Sequence, residues 1–143
     1  MSKATHCDSS RDIEEKWTSP ALEMGWTAIP TSLFFMQAQL GLTPTEFNVL
    51  LNIIIHWWGR NDKIYPSQEG IASRIGISKR TVQRTIEQLV EKNCLYVTPT
   101  KRKGKYNGRN LYSLSPLVQS LEISTPIIKD IIQVKKDNYF ENH

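Results

Sequence analysis

Apolar residues recur three and four positions apart over most of this sequence, which predicts a largely helical chain. The clearest start signal is at residues 43–46 (Thr-Pro-Thr-Glu), a capping box with proline at the first helical position. The helix that follows is apolar on most of its circumference and is expected to reach Trp58 and end at Gly59. We therefore predict that it is the central core helix, with Trp57 and Trp58 buried.

Three shorter helices are predicted from a capping residue followed by helical spacing of apolar residues. The first begins at Thr31 or Ser32 and ends at Gly41, the second is capped by Ser67 and ends at Gly76, and the third is capped by Ser78 and spans 78–92. The third has a narrow apolar stripe and a wide polar face. Residues 94–98 and 110–114 are strand-like and predict a hairpin, with residues 64–66 as a short extended piece. The predicted fold class is mainly α with a small β-hairpin (α+β).

The chain divides into three parts by composition. Residues 1–24 are polar without helical or strand periodicity and are expected to form a flexible leader, and residues 25–122 are expected to form the folded domain. Residues 123–143 are predicted to hold an amphipathic helix that starts at Thr125, with Pro116 closing the preceding unit. The isoleucines of this helix lie within residues 126–134. Together with the first helix they form a surface that is expected either to pack on its own domain or to form a homodimer.

The positive charge is concentrated in one segment. The net charge is only +4, but residues 60–110 hold twelve Lys and Arg against four Asp and Glu, a balance of +8. Such a segment suits a polyanionic partner. No apolar run is long enough for a membrane span and no signal peptide is evident, so a cytoplasmic location is expected. Cys7 and Cys94 lie in unlike surroundings and do not suggest a disulfide.

The second and third helices have the spacing of a helix-turn-helix. Ala72 is small where the helices would cross, Gly76 permits the positive φ of a tight turn, and Val82 anchors the next helix. At about 100° per residue, Arg80 and Arg84 project roughly opposite to Val82 on the first turns, where a recognition helix meets base edges. Glu87 could accept a hydrogen bond from a cytosine, but pairing with Arg80 or Arg84 is the favoured interpretation.

The loop at 99–109 between the predicted strands contains five basic residues, two glycines and no acidic residue, which is typical of a DNA-contacting wing. The segments 78–92 and 99–109 together predict sequence-specific binding of double-stranded DNA. The residues expected to contact DNA are Ser67, Ser78, Lys79, Arg80, Thr81, Gln83, Arg84, Lys101, Arg102, Lys103, Lys105, Tyr106, Asn107 and Arg109.

Residues 26–114 resemble the winged helix-turn-helix domains at the front of plasmid and phage replication initiators and related regulators of mobile elements. The resemblance rests on residues 29–33, 42–46 and 65–68, and most strongly on 75–84. It implies DNA binding by a regulator or by a replication or partition accessory protein. The sequence departs from that pattern at Gly70, in a helical position, and a second domain of the kind found in initiators is not expected from the residues given.

Two other functions are compatible with the pattern. A winged helix can be a protein-docking module, which would be favoured if its basic residues were held in intramolecular ion pairs. An RNA binder is the second alternative. Trp57, Trp58 and Tyr65 could stack on bases, but adjacent tryptophans on an isoleucine-rich helix are expected in the core, so no aromatic stacking platform is evident from the sequence. No catalytic motif is present, and His6 beside Cys7 does not complete a metal site, so neither enzyme activity nor a cofactor is expected.

Overall fold

The structure is a computed structural model that describes residues 9–59 and 63–134 of the chain. Over these ranges the elements in chain order are α1 (Ser9–Trp17), α2 (Ser19–Leu22), α3 (Thr31–Phe35), α4 (Pro44–Ile54), α5 (Gln68–Ile75), α6 (Lys79–Glu91), β1 (Tyr96–Thr98), β2 (Leu111–Ser113) and α7 (Ser115–Val134). The mainly helical fold with one small hairpin is confirmed.

Helix α4 is the centre of the core, as its apolar sequence predicts. Its Val49, Leu50 and Ile53 are fully buried, and α5 and α6 pack against it. The helix ends at Ile54, however, and not at Trp58.

The prediction that Trp58 is buried is wrong. His56 and Trp57 donate backbone hydrogen bonds to carbonyls three residues back, which tightens the last turn. The helix therefore does not continue to Trp58, which is 83% exposed. Trp57 is only partly buried and packs against the core, so the prediction for this residue is confirmed only in part.

The hairpin forms where the sequence predicts it. Strands β1 and β2 are antiparallel, with Val97 opposite Tyr112. Ile64 adds a bridge to Tyr112, whose backbone N–H donates to the Ile64 carbonyl over 2.8 Å. The extended piece at 64–66 therefore joins the hairpin to the front of α5.

The N-terminal part contains regular structure that the sequence pattern did not predict. Helices α1 and α2 cover most of residues 9–22, although Trp17 is largely exposed and α2 has no buried residue. Apolar residues are too sparse here for a helical period to be visible. Residues 1–8 of the expected leader lie outside the described residues, and its flexibility stays a prediction.

Helix α7 starts ten residues earlier than expected. Pro116 does not close the preceding unit but occupies the first turn of α7, where its missing N–H would have no helical partner in any case. Pro126 lies inside the same helix on an exposed side. The boundary predicted at residues 122–123 therefore falls within a continuous helix, which packs on α3 and buries Leu117 and Ile128.

A buried ion pair ties the start of α4 to the end of α6. The capping box is present as predicted: the Thr43 hydroxyl accepts from the Glu46 N–H, and the Glu46 carboxylate accepts from the Thr43 N–H. The Lys92 ammonium donates to both carboxylate oxygens of Glu46 and to the Gly41 carbonyl. Burial alone would raise the pKa of Glu46, but the hydrogen bonds from Lys92 and Thr43 and the Lys92 charge outweigh it and lower the pKa.

We expect Lys92→Met to destabilise the fold, because it leaves the Glu46 carboxylate buried without its cation. The loss in free energy of unfolding should be about 2–3 kcal/mol, below the ~3–5 kcal/mol of a fully buried pair, since the Lys92 side chain is 27% exposed. Urea denaturation measures it, with the exposed Lys129→Met as control.

The Lys92–Glu46 pair should make the stability of the fold decrease towards acid pH. Because folding lowers the Glu46 pKa, its contribution is present above the pKa of an unfolded glutamate and is lost as pH falls through the lowered value. Urea titrations repeated at several pH values should show a smaller loss of stability towards acid pH (the acid limb) in Lys92→Met than in wild type. Equal stability and equal acid limbs in Lys92→Met and wild type would contradict a stabilising role for the pair.

Candidate nucleic-acid interface

The helix-turn-helix is built by two serine caps and one left-handed glycine. The Ser67 hydroxyl accepts from the Gly70 N–H over 3.0 Å, and the Ser78 hydroxyl accepts from the Thr81 N–H over 3.1 Å. Between the helices, Gly76 has φ 79° and donates to the Ala72 carbonyl, which ends α5. These caps fix where α6 begins and how it leaves the turn.

The glycine at position 70 has a local reason. A Cβ atom added there would lie 2.9 Å from the Ser67 hydroxyl oxygen, the same atom that caps α5. A larger residue would therefore press on the cap. This explains the departure from a better helix former at this position.

The outer face of α6 carries two arginines without acidic partners. Arg80 and Arg84 are exposed, as the helical projection predicts, while Val82 and Ile86 are buried on the opposite side. Within residues 9–59 and 63–134 neither arginine forms an ion pair, and the expected pairing with Glu87 is wrong. Both guanidinium groups are therefore available to an external acceptor.

Two other predicted contact residues of α6 are held by α5. Lys79 forms an ion pair with Glu69 at 2.5 Å, and the hydrogen bond from Lys79 is the main cause of the lowered pKa of Glu69. The Gln83 amide donates to the Gln68 side chain over 3.0 Å. Gln68 was missed by sequence reasoning, since a contact between residues fifteen positions apart leaves no local signal.

The N-terminus of α6 presents an oriented first turn. The hydroxyls of Ser78 and Thr81 are 2.8 Å apart and serve the cap. The amides of Lys79 and Arg80 belong to the first turn, which has no carbonyl partner within the helix. Such a turn favours a phosphate oxygen.

The wing is a compact series of turns. The Lys101 carbonyl accepts from both the Gly104 and Gly108 N–H groups over 3.0 Å, and Gly108 adopts φ 74° close to the Arg102 backbone. The Thr100 hydroxyl closes its base by donating to the Arg109 carbonyl. All its basic side chains are exposed, and none is ion-paired to an acidic group in the part of the chain that the structure describes. They are Lys101, Arg102, Lys103, Lys105 and Arg109.

The wing and the helix-turn-helix meet in a groove of about 420 Å³. Its lining brings together Ser67, Lys79, Asn107 and Arg109, four of the predicted contact residues, which come from α5, α6 and the wing. Tyr106 does not line this groove and packs edge-on against Tyr65, with the ring centroids 5.0 Å apart. The structure thus brings four of the predicted residues together in one groove, which Glu69 also lines, and places Tyr106 outside it.

Among the described residues, no group of three or more His, Cys, Asp or Glu could hold a metal ion. None of the helices over 9–59 and 63–134 has the length and apolar character to span a bilayer.

One protein family and several solved structures are similar to this chain. The family described as "Helix-turn-helix domain" matches residues 40–95. Solved structures similar to this chain include a mutant of S. aureus MepR bound to an oligodeoxyribonucleotide (18% identity, TM-score 0.47, 98% of this chain and 89% of that chain). Another is the YusO protein of Bacillus subtilis (17% identity, TM-score 0.45, 94% of this chain and 83% of that chain). A search of curated proteins finds no match.

The matched range begins before α4 and ends at Leu95, so it contains the capped α5–turn–α6 unit, and the hairpin β1–β2 follows directly. Residues 40–95 are therefore a helix-turn-helix domain, which the wing completes as a winged helix-turn-helix fold.

Proposed function

We propose that this protein is a regulator that binds double-stranded DNA sequence-specifically, with α6 in the major groove and the wing on the adjacent backbone. The observation that carries the proposal is the pair Arg80 and Arg84, exposed and without acidic partners among the described residues, on the first turns of a capped helix. Arginine recognises guanine through a bidentate bond to O6 and N7, and the N-terminal residues of a recognition helix meet base edges.

The other residues fall into phosphate-contact roles. The first turn of α6, with Ser78 and Thr81, suits one phosphate, and the groove formed by Ser67, Lys79, Asn107 and Arg109 suits the next stretch of backbone. Lys79 is paired with Glu69, and Gln83 is hydrogen-bonded to Gln68. Both contacts also hold α5 against α6. The four cations at 101–105 extend the positive surface along the wing.

The protein-docking alternative required that the basic residues be tied up within the domain. Only Lys79, of the predicted contact cations, has an acidic partner in the described residues. This favours a polyanionic ligand over a protein surface.

The resemblance to initiator and mobile-element domains suggests a narrower role in transcription, replication or partition of a plasmid, phage or related element. That role and the cytoplasmic location remain predictions. Selection of binding sites from random duplexes, repeated at several salt concentrations, tests the function. We expect one enriched motif that persists at high salt, whereas recovery of unrelated sequences would indicate non-specific binding only.

We also propose that the protein binds as a homodimer, since one helix-turn-helix contacts few base pairs and such proteins commonly pair on half-sites one turn apart. The predicted isoleucine stripe of α7 is divided between two faces: Ile128 is buried in the domain, whereas Ile127 and Ile131 are exposed. Ile123 extends the exposed row at a spacing of four, and Phe34 of α3 is also half exposed. This apolar surface is the candidate dimer contact.

Replacing Ile127 and Ile131 with glutamate should convert the dimer to a monomer, because four charges would face each other across the contact. Light scattering at high micromolar concentration measures the mass, and Gln133→Glu, at an exposed position on the other side of the same helix, is the control. A wild-type protein that is monomeric under these conditions would exclude the dimer.

A further inference from the structure

A second groove, of about 710 Å³, adjoins the one between the wing and the helix-turn-helix and shares Pro66, Ser67 and Arg109 with it. It forms where the end of α4, the extended piece, α5 and the wing meet. Its volume is within the range of about 300–1,000 Å³ that is usual for sites binding small organic groups. None of the roles proposed for α6 explains it.

Aromatic rings line this groove and are open to solvent. Trp58 is 83% exposed and Tyr65 is 42% exposed. Tyr106 braces Tyr65 edge-on, and His56 lies 6.3 Å from Trp58 at a tilt of 41°. Trp58 nevertheless keeps most of its surface open to solvent.

The charged side chains that line this groove, among the described residues, are all basic. Lys63, Arg74, Lys105 and Arg109 contribute side chains, and no acidic residue is among the described residues that line the groove. The Arg74 guanidinium donates to His56 Nε2 over 3.1 Å, and burial together with the charges of Arg74 and Arg109 lowers the His56 pKa. His56 is therefore a neutral acceptor that orients Arg74 and does not add charge.

We propose that this groove binds single-stranded DNA, with an unpaired base stacked on Trp58 and neighbouring phosphates held by the four cations. A positive groove that carries exposed aromatic rings is the combination by which proteins bind single strands without sequence preference. Because the groove is continuous with the proposed duplex surface, a strand that leaves the end of a duplex can enter it. The groove shares Lys105 and Arg109 with the proposed duplex surface, but Trp58, Lys63 and Arg74 have no role there, so the site goes beyond the proposed function.

The test compares single-stranded and duplex binding by fluorescence anisotropy, with a labelled oligothymidylate of about ten nucleotides and a labelled selected duplex as probes. We expect Trp58→Ala to weaken oligothymidylate binding by about 5- to 100-fold through the loss of one stacked base. Duplex affinity should change by less than about twofold, and Trp58→Phe should retain most of the single-strand affinity, because an aromatic face remains. The exposed position of Trp58 leaves the core untouched by either substitution.

Arg84→Ala is the matched variant on the duplex side, and it should reduce duplex binding while oligothymidylate binding is retained. Oligothymidylate affinity that is undetectable, or equal in wild type and Trp58→Ala, would overturn the proposal. Loss of single-strand binding in Arg84→Ala with none in Trp58→Ala would overturn it too, since the strand would then lie on α6. Tighter binding of an oligouridylate of the same length would assign the groove to RNA. If the proposed duplex function fails, only binding of the duplex probe is lost, and the oligothymidylate measurements still test the groove.

Discussion

Alanine at Arg80 or Arg84 is expected to reduce affinity for the selected duplex by about 1–3 kcal/mol each. Both side chains lie on the exposed face of α6 and have no acidic partner in the described residues, so they enter the complex without breaking an ion pair. If they bond to base edges, each substitution should also relax the preference at particular base pairs. Titration of the selected duplex and its single-base variants measures both effects.

Lys129→Ala is the control, because it removes the same charge from an exposed position on α7, away from α6. It should leave the base preference unchanged. Equal losses on selected and random duplexes in the Arg80 and Arg84 variants would assign these arginines to phosphate contacts and contradict base recognition.

The second large effect is expected at the wing. Alanine at Lys101, Arg102, Lys103 and Lys105 together should weaken binding to all duplexes alike, because phosphates carry no sequence information. The slope of log K against log salt should become shallower by about 0.9 for each phosphate that is no longer neutralised, and by up to about 3.6 for four. Binding isotherms at four or more salt concentrations give the slope.

A variant that exchanges lysine and arginine at the same four positions preserves the charge and should keep the wild-type slope. These side chains are exposed and the turns are closed by backbone bonds, so the loop should keep its shape in both variants. An unchanged slope in the alanine variant would show that the wing does not contact DNA.

The helix starts of the domain could be predicted because capping is local. Thr43, Ser67 and Ser78 each bond to the amide three residues ahead, so the signal is contained in four adjacent residues. The same holds for the left-handed glycine at position 76, which ends α5. These local signals were enough to predict the positions of α4, α5 and α6 and the exposed direction of Arg80 and Arg84.

The remaining features depend on contacts between distant parts of the chain. The Lys92–Glu46 pair joins residues forty-six positions apart, and the bond between Gln68 and Gln83 spans fifteen. Trp58 follows an apolar helix in sequence, but a tighter last turn exposes it, which only the backbone hydrogen bonds reveal. The sequence allowed base stacking by Trp58 and Tyr65 but favoured a buried Trp58, and it did not predict that Tyr106 from a third segment would join them in one groove.

The most direct test of DNA reading by α6 is the affinity of the wild-type protein for the selected duplex with its guanines replaced by 7-deazaguanine. This base lacks the N7 acceptor in the major groove and keeps its pairing and its minor-groove edge. We predict a loss of about 1–3 kcal/mol, as for one bidentate arginine contact, and a much smaller loss in the Arg80→Ala, Arg84→Ala double variant. Unchanged wild-type affinity for the modified duplex would contradict recognition of guanine by these arginines in the major groove.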